Sequence, residues 1–249
     1  MKIYGGCKTD IGIARSVNQD AIIFRTVEDK GQSFTVGAIC DGVGSLDHGE
    51  IASSMLVSKI DEWYWDLLEW IDILTVDETV LFSHLKDAVE SWNQDIVNYI
   101  RTSGVRTGST MSIIMIIRDR YYIIQVGDSR VYVYQNALRQ LTKDASITKV
   151  ANNGMKKNYL TNYVGMQEEL NYTETVGIIN ENDLYIYGSD GFYHFFNEEH
   201  AKKMIKKSPR VTDWEKVCEK YIEEIKALGE RDNISIGVIV VGKQNFFKR

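Results

Sequence analysis

The sequence predicts an α+β fold: a central antiparallel β-sandwich flanked by pairs of α-helices, four layers in the order αββα. Short runs rich in β-branched and aromatic residues come in pairs separated by turn residues, as antiparallel strands do. Two longer stretches place apolar residues three and four apart, the spacing of one helical face. The order of elements is strands, two helices, strands, two helices, strand, unlike the strict alternation of a parallel doubly wound sheet.

The fold is expected to open on two strands, Asp20 to Val27 and Phe34 to Cys40, joined as a hairpin across Asp29, Lys30 and Gly31. From Glu50, apolar residues at Ala52, Leu56, Ile60, Trp63, Leu67 and Trp70 define a first amphipathic helix. From Thr79, Leu81, Leu85, Ala88, Trp92, Ile96 and Tyr99 define a second. Strand composition returns at Ser109 to Ile117, Tyr121 to Val126 and Arg130 to Tyr134. Turns at Arg118-Asp119-Arg120 and Gly127-Asp128-Ser129 between them suggest an antiparallel meander. Residues 143–180 are polar and weakly periodic, with a turn at Asn152-Asn153-Gly154, so a long loop or small flap is expected there. A strand follows at Leu184 to Tyr187. The capping-box spacing of Thr212 and Glu215 then opens a helix with Trp214, Val217, Cys218, Tyr221 and Ile225 facing inward, and Ile234 to Val241 is the closing strand. Trp63, Trp70, Trp92 and Trp214 all fall on inner helical faces, which assigns them to core packing. With no linker-like tract or internal repeat, residues 1–249 are expected to form a single domain.

Hydrophobic residues at 44% and charged residues at 26% describe an ordinary globular chain, and its length allows a sizeable core. The net charge of -6 lacks the basic footprint of a nucleic-acid binder. Cys7, Cys40 and Cys218 have no CxxC spacing, so they are expected to be reduced thiols in a cytoplasmic protein, neither a zinc site nor a disulfide framework. The polar start MKIYGGCKTD does not resemble a secretory signal, and the apolar run from Met111 to Ile117 is far shorter than a membrane span. No nucleic-acid or membrane partner is expected, and the chain is expected to be a monomer.

Chemistry is concentrated in five aspartates at strand ends or inter-strand turns: Asp20, Asp41, Asp128, Asp190 and Asp232. Ordinary turn chemistry accounts for any one of them beside Gly or Asn. As a set, they can converge on one edge of a sandwich. Carboxylates without neighbouring His or Cys make an oxygen site for a hard cation, Mg2+ or Mn2+.

These residues also carry a resemblance. The opening segments Asp10-Ile-Gly12-Ile-Ala-Arg15-Ser-Val-Asn18-Gln-Asp20 and Cys40-Asp41-Gly42-Val-Gly44, with Gly49-Glu50-Ile-Ala52-Ser53, resemble the metal-dependent protein phosphatases, the type 2C serine/threonine enzymes, in their bacterial form. Gly108-Ser-Thr110, Val126-Gly127-Asp128-Ser129-Arg130, Leu141-Thr142-Lys-Asp144, Gly188-Ser189-Asp190-Gly191 and Asp232-Asn233-Ile234 resemble the later family blocks in order. The resemblance runs from Asp10 to Val241. It implies a β-sandwich flanked by helices and hydrolysis of phosphoserine and phosphothreonine in one in-line step by a metal-bound hydroxide. Asp20, Asp41, Asp190 and Asp232, with the carbonyl of Gly42, would hold two ions of Mn2+ or Mg2+, and Asp128 would help to hold a third. Arg15 would clamp the phosphoryl group with its planar guanidinium. Arg15, Asp20, Asp41, Asp190 and Asp232 are therefore the expected catalytic set. Phosphorylated proteins are the expected substrates and a cognate serine/threonine kinase a further partner.

The sequence departs from the family pattern at several positions. Gln19 stands where glutamate is usual, which lowers the expected metal affinity and predicts that Gln19→Glu raises it. Ser45 breaks a glycine pair, Ala145 replaces a histidine, and Val43 stands where a general-acid histidine or a methionine is found, while His48 lies just beyond. These departures keep open an alternative of another class: a catalytically weak or silent member acting as a phosphoprotein-binding or sensing module. A small-molecule phosphatase is a third reading.

Overall fold

Side chains alternate across a strand, so a strand buried on both sides must be apolar at nearly every position, and one with a wet face must alternate. In the computed structural model, which describes residues 1–150, 156–207 and 213–242, Met111–Ile117 and Ile234–Gly242 are of the first kind and Thr173–Ile178 of the second. The strands in chain order are β1 (Lys2–Asp10), β2 (Asp20–Asp29), β3 (Gln32–Asp41), β4 (Met111–Ile117), β5 (Arg120–Val126), β6 (Arg130–Tyr134), β7 (Leu138–Gln140), β8 (Ser146–Val150), β9 (Lys156–Leu160), β10 (Thr173–Ile178), β11 (Leu184–Gly188) and β12 (Ile234–Gly242). The helices are α1 (Gly49–Leu68), α2 (Glu78–Ser103), α3 (Asp190–Tyr193), α4 (Glu198–Lys207) and α5 (Trp214–Ala227).

Two five-stranded antiparallel sheets result, ordered β1-β12-β11-β6-β7 and β10-β5-β4-β3-β2, with β8 and β9 as a separate hairpin. Alternation divides the apolar residues among three cores. On β12, Ile236 and Val238 face the helical layer with Cys218, Tyr221 and Ile225 of α5, while Ile239 and Val241 face the other sheet. On β4, Ile113, Met115 and Ile117 pack with Leu56 and Ile60 of α1 and Leu85 of α2, while Ile114 and Ile116 enter the inter-sheet core. The layers are therefore helix, sheet, sheet, helix, as the element order predicted. The inter-sheet core contains Tyr187, whose hydroxyl crosses from β11 to donate to the carbonyl of Ile23 on β2 at 2.8 Å.

Several expectations need correction. β1 precedes the hairpin read as the opening: its Gly5-Gly6 pair and polar residues hide the strand signal, yet it pairs with β12 along its whole length. β4, β5 and β6 are not a meander, because after Gly127-Asp128-Ser129 the chain leaves one sheet and β6 pairs with β11 in the other. Residues 143–180 hold the β8–β9 hairpin and also β10, an edge strand on β5; the turn expected at Asn152-Asn153-Gly154 lies outside the described residues. Trp63, Trp92 and Trp214 are buried as expected, but α1 ends before Trp70, which is 59% exposed and packs edge-on against His84. The last long helix is capped by Asp213, which accepts from the Lys216 amide at 3.1 Å; Thr212, expected as its cap, lies outside the described residues. The three cysteines are free, Cys40 and Cys218 buried and Cys7 half-buried. No helix among the described residues is long and apolar enough to cross a membrane.

Candidate active site

Antiparallel pairing sets Asp20, the first residue of β2, directly opposite Asp41, the last of β3. Asp190 opens α3 immediately after β11, Asp232 lies two residues before β12, and Asp128 lies in the crossover between the sheets. Ends of strands from both sheets thus bring the five aspartates to one edge of the sandwich. Close backbone approaches make this possible. A β-carbon on Gly191 would lie 2.1 Å from the Asn233 carbonyl oxygen, and one on Gly12, at φ +77°, would lie 2.1 Å from that of Asp232. Only glycine lets the loops carrying Asp190 and Arg15 press onto the segment carrying Asp232.

Polar neighbours hold the backbone between them. Asn233 takes the Gln19 amide on its Oδ1 at 2.9 Å, and its Nδ2 donates to the carbonyls of Ile11 and Val17. The Gly42 amide donates to the Gln19 carbonyl at 2.9 Å, and the Thr110 amide donates to the Asp41 carbonyl at 2.8 Å. Thr110 Oγ1 also accepts from the Asp41 amide at 3.0 Å and shares a hydrogen bond of 2.7 Å with Ser129 Oγ.

The carboxylates differ in surroundings. Asp20 is buried, and its Oδ2 accepts from Ser189 Oγ and Ser235 Oγ, each at 2.7 Å. Burial pushes its carboxyl up to about 7, against the pull of those hydrogen bonds, with Asp190 and Asp232 adding repulsion. Burial, followed by Asp20, Asp190 and Asp128, drives Asp41 well above the usual carboxylate range. Burial and then Asp232 raise Asp190, and burial with Asp190 and Asp144 raises Asp128 to about 6. Asp232 is paired: Arg15 Nη2 donates to its Oδ2 at 2.5 Å. That bond holds the Arg15 guanidinium more firmly charged. Arg15 Nη1 faces the space beside Gly44, 3.9 Å from where a β-carbon on that glycine would lie.

This oxygen-only edge suits a hard dication, and positive charge is what its mutually repelling carboxylates lack. Among the described residues no three His, Cys, Asp or Glu side chains stand close enough together to hold a metal ion as they are placed. The expected residues Arg15, Asp20, Asp41, Gly42, Asp128, Asp190 and Asp232 all lie at this edge.

Sequence reasoning gave no role to several neighbours, although Glu50, Arg130 and Asp144 lie within its motifs and His48 was noted beside them. Ser189 and Ser235 fix Asp20, and only Ser189 lies inside a quoted motif. Glu230 accepts from the backbone amides of Arg231 and Asp232 at 2.7 and 2.9 Å and pairs with His194 Nδ1 at 3.3 Å. Arg130 makes a forked pair with Asp144 beside Asp128 and stacks on the Tyr193 ring, 3.7 Å from its centroid. Glu50 accepts from Gln19 Nε2 at 3.2 Å and meets His48 Nδ1 at 3.0 Å. No motif marks these side chains as partners: most of the contacts join separate segments, and the local ones, Glu230 with the Arg231 and Asp232 amides and Glu50 with His48, follow no recognisable pattern.

Comparison with known proteins gives consistent results. Residues 13–223 match the family model described as Protein phosphatase 2C. The serine/threonine phosphatase stp of Listeria monocytogenes is 26% identical over 247 residues, covering 92% of each chain. The fold resembles that of the serine/threonine phosphatase Stp1 from Staphylococcus aureus, with a TM-score of 0.78 at 18% identity, covering 98% of this chain and 96% of that one. It also resembles the catalytic domain of the serine/threonine protein phosphatase PstP, solved in complex with two manganese ions, with a TM-score of 0.72 at 21% identity, covering 97% and 99%.

Proposed function

The chain belongs to the protein phosphatase 2C family, and from that premise we propose that it is a Mn2+- or Mg2+-dependent protein serine/threonine phosphatase acting on phosphoserine and phosphothreonine. The observation that carries this reading is the convergence of five aspartates and Arg15 on one sandwich edge, all on motifs that recur in family order. Asp20, Asp41, Asp190, Asp232 and the carbonyl of Gly42 would hold two ions, with Asp128 contributing to a third. Bound there, the ions would supply Lewis-acid stabilisation of the attacking and leaving oxygens of an in-line displacement.

The chain's own side chains account for the rest. Arg15 is anchored through Nη2 on Asp232 and offers Nη1 toward Gly44, so it can present its fork to phosphoryl oxygens. Ser189 and Ser235 fix the Asp20 carboxylate, and the Asn233 side chain ties the Arg15 loop to β12, so the edge keeps its shape as charge accumulates. An edge this rich in carboxylates would repel a dianionic phosphate unless cations were present. The carboxylate-rich lining thus supports the proposed metal dependence. We place the protein in the cytoplasm, as a monomer, acting on proteins phosphorylated by a cognate kinase.

Assay of a phosphothreonine peptide with Mn2+ and with chelator tests the reading: turnover is expected with the metal and lost in chelator. Full turnover in excess chelator after removal of bound metal would overturn it.

A further inference from the structure

Gln19 is held on three sides. Its backbone amide donates to Asn233 Oδ1 at 2.9 Å, its carbonyl accepts from the Gly42 amide at 2.9 Å, and its side-chain Nε2 donates to Glu50 Oε2 at 3.2 Å. The other Glu50 oxygen, Oε1, meets His48 Nδ1 at 3.0 Å. An ionised carboxylate can only accept, so it pairs with the NH2 end of an amide and never with the oxygen end. The contact with Glu50 therefore fixes which way the Gln19 amide faces. Its Oε1 turns to the opposite side, 3.6 Å from where a β-carbon on Gly44 would lie, in the space that Arg15 Nη1 also faces.

We infer that Glu50 is a positioning residue that captures the Gln19 amide hydrogens and so aims the Gln19 carbonyl oxygen at the phosphate- and metal-facing space beside Gly44. The inference rests on the phosphatase reading of that edge. It reverses the sequence expectation for Gln19→Glu, because position 19 already faces a carboxylate. The substitution would set two like charges about 3 Å apart, and the new side chain would turn away or take up a proton. In this chain the neutral amide at position 19 and the acid at position 50 form a matched pair.

Titration of Mn2+ into the purified full chain by calorimetry tests this, with Tm as a check on folding. Outer-sphere partners typically change metal affinity by about 10- to 100-fold. Glu50→Ala is expected to weaken Mn2+ binding about tenfold. Glu50→Gln should stay near wild type, since its amide oxygen still accepts the Gln19 hydrogens. Gln19→Glu alone is expected to weaken binding, and adding Glu50→Gln to it should restore binding, since an amide would again face a carboxylate. Should Glu50→Ala fail to fold, the last two proteins still decide. Binding by Glu50→Gln as weak as by Glu50→Ala would mean that Glu50 acts through its charge, overturning the inference. So would unchanged or tighter binding in Gln19→Glu alone. These results leave the phosphatase reading standing; a wild-type chain that binds no Mn2+ would instead overturn that reading and this inference with it.

Discussion

Asp20 combines burial, two serine hydroxyls and a carboxylate directly opposite it in the ladder. Its folded-state proton affinity, up to about 7, exceeds the usual unfolded value near 4. A raised carboxyl stabilises the fold fully below the unfolded value and loses that contribution as pH rises through the folded one. The metal-free protein should therefore lose thermal stability between about pH 4 and pH 7, and saturating Mn2+ should reduce the loss; melting curves in chelator and in Mn2+ measure both. Asp41→Asn and Asp190→Asn should each abolish metal-dependent turnover while the far-ultraviolet circular dichroism stays native, since each removes a charge from the edge without creating a cavity. Arg15→Ala should lower kcat/KM without removing Mn2+ binding, because a guanidinium cannot ligate a cation. An unchanged kcat/KM would show that the phosphoryl group binds elsewhere.

The loops between elements decide whether these side chains meet. Gly191 lets α3 start against the segment entering β12, so Gly191→Ala should push Asp190 away from Asp232. A loss of about 2 kcal/mol in urea denaturation is expected, together with weakened Mn2+ binding. Some elements announced themselves in the sequence: α2 keeps Leu81, Leu85, Trp92 and Ile96 buried along one stripe, and β2 and β3 meet across the short turn that Gly31 suggested. β10 was hidden because an edge strand with one wet face carries Thr173, Glu174 and Thr175, residues that read as loop. The departure of β6 to the other sheet was hidden because a turn such as Gly127-Asp128-Ser129 looks the same whether its strands pair or part. The aspartates were legible because each sits in a short ordered motif. The roles of Glu50, Ser235 and His194 were not, because their contacts with Gln19, Asp20 and Glu230 join residues far apart in sequence.

Across the molecule, Tyr187 ties one sheet to the other. Its ring lies against Gly37 of β3 and Gly237 of β12, and its hydroxyl satisfies the Ile23 carbonyl in a buried setting. Tyr187→Phe should cost about 2 kcal/mol of unfolding free energy, the order expected when a buried acceptor loses its donor, with Mn2+ affinity little changed. The pairing of β1 with β12 has a different kind of consequence. During synthesis, β1 must wait for β12 to leave the ribosome before it can find its neighbour, and contacts this distant in sequence form late. Asp232 and Asn233 arrive just ahead of β12. A partly made chain that stops short of β12 can thus expose Asp20 and Asp41 but cannot bring Asp232 beside them, so the edge proposed for hydrolysis should assemble only once β12 has been made.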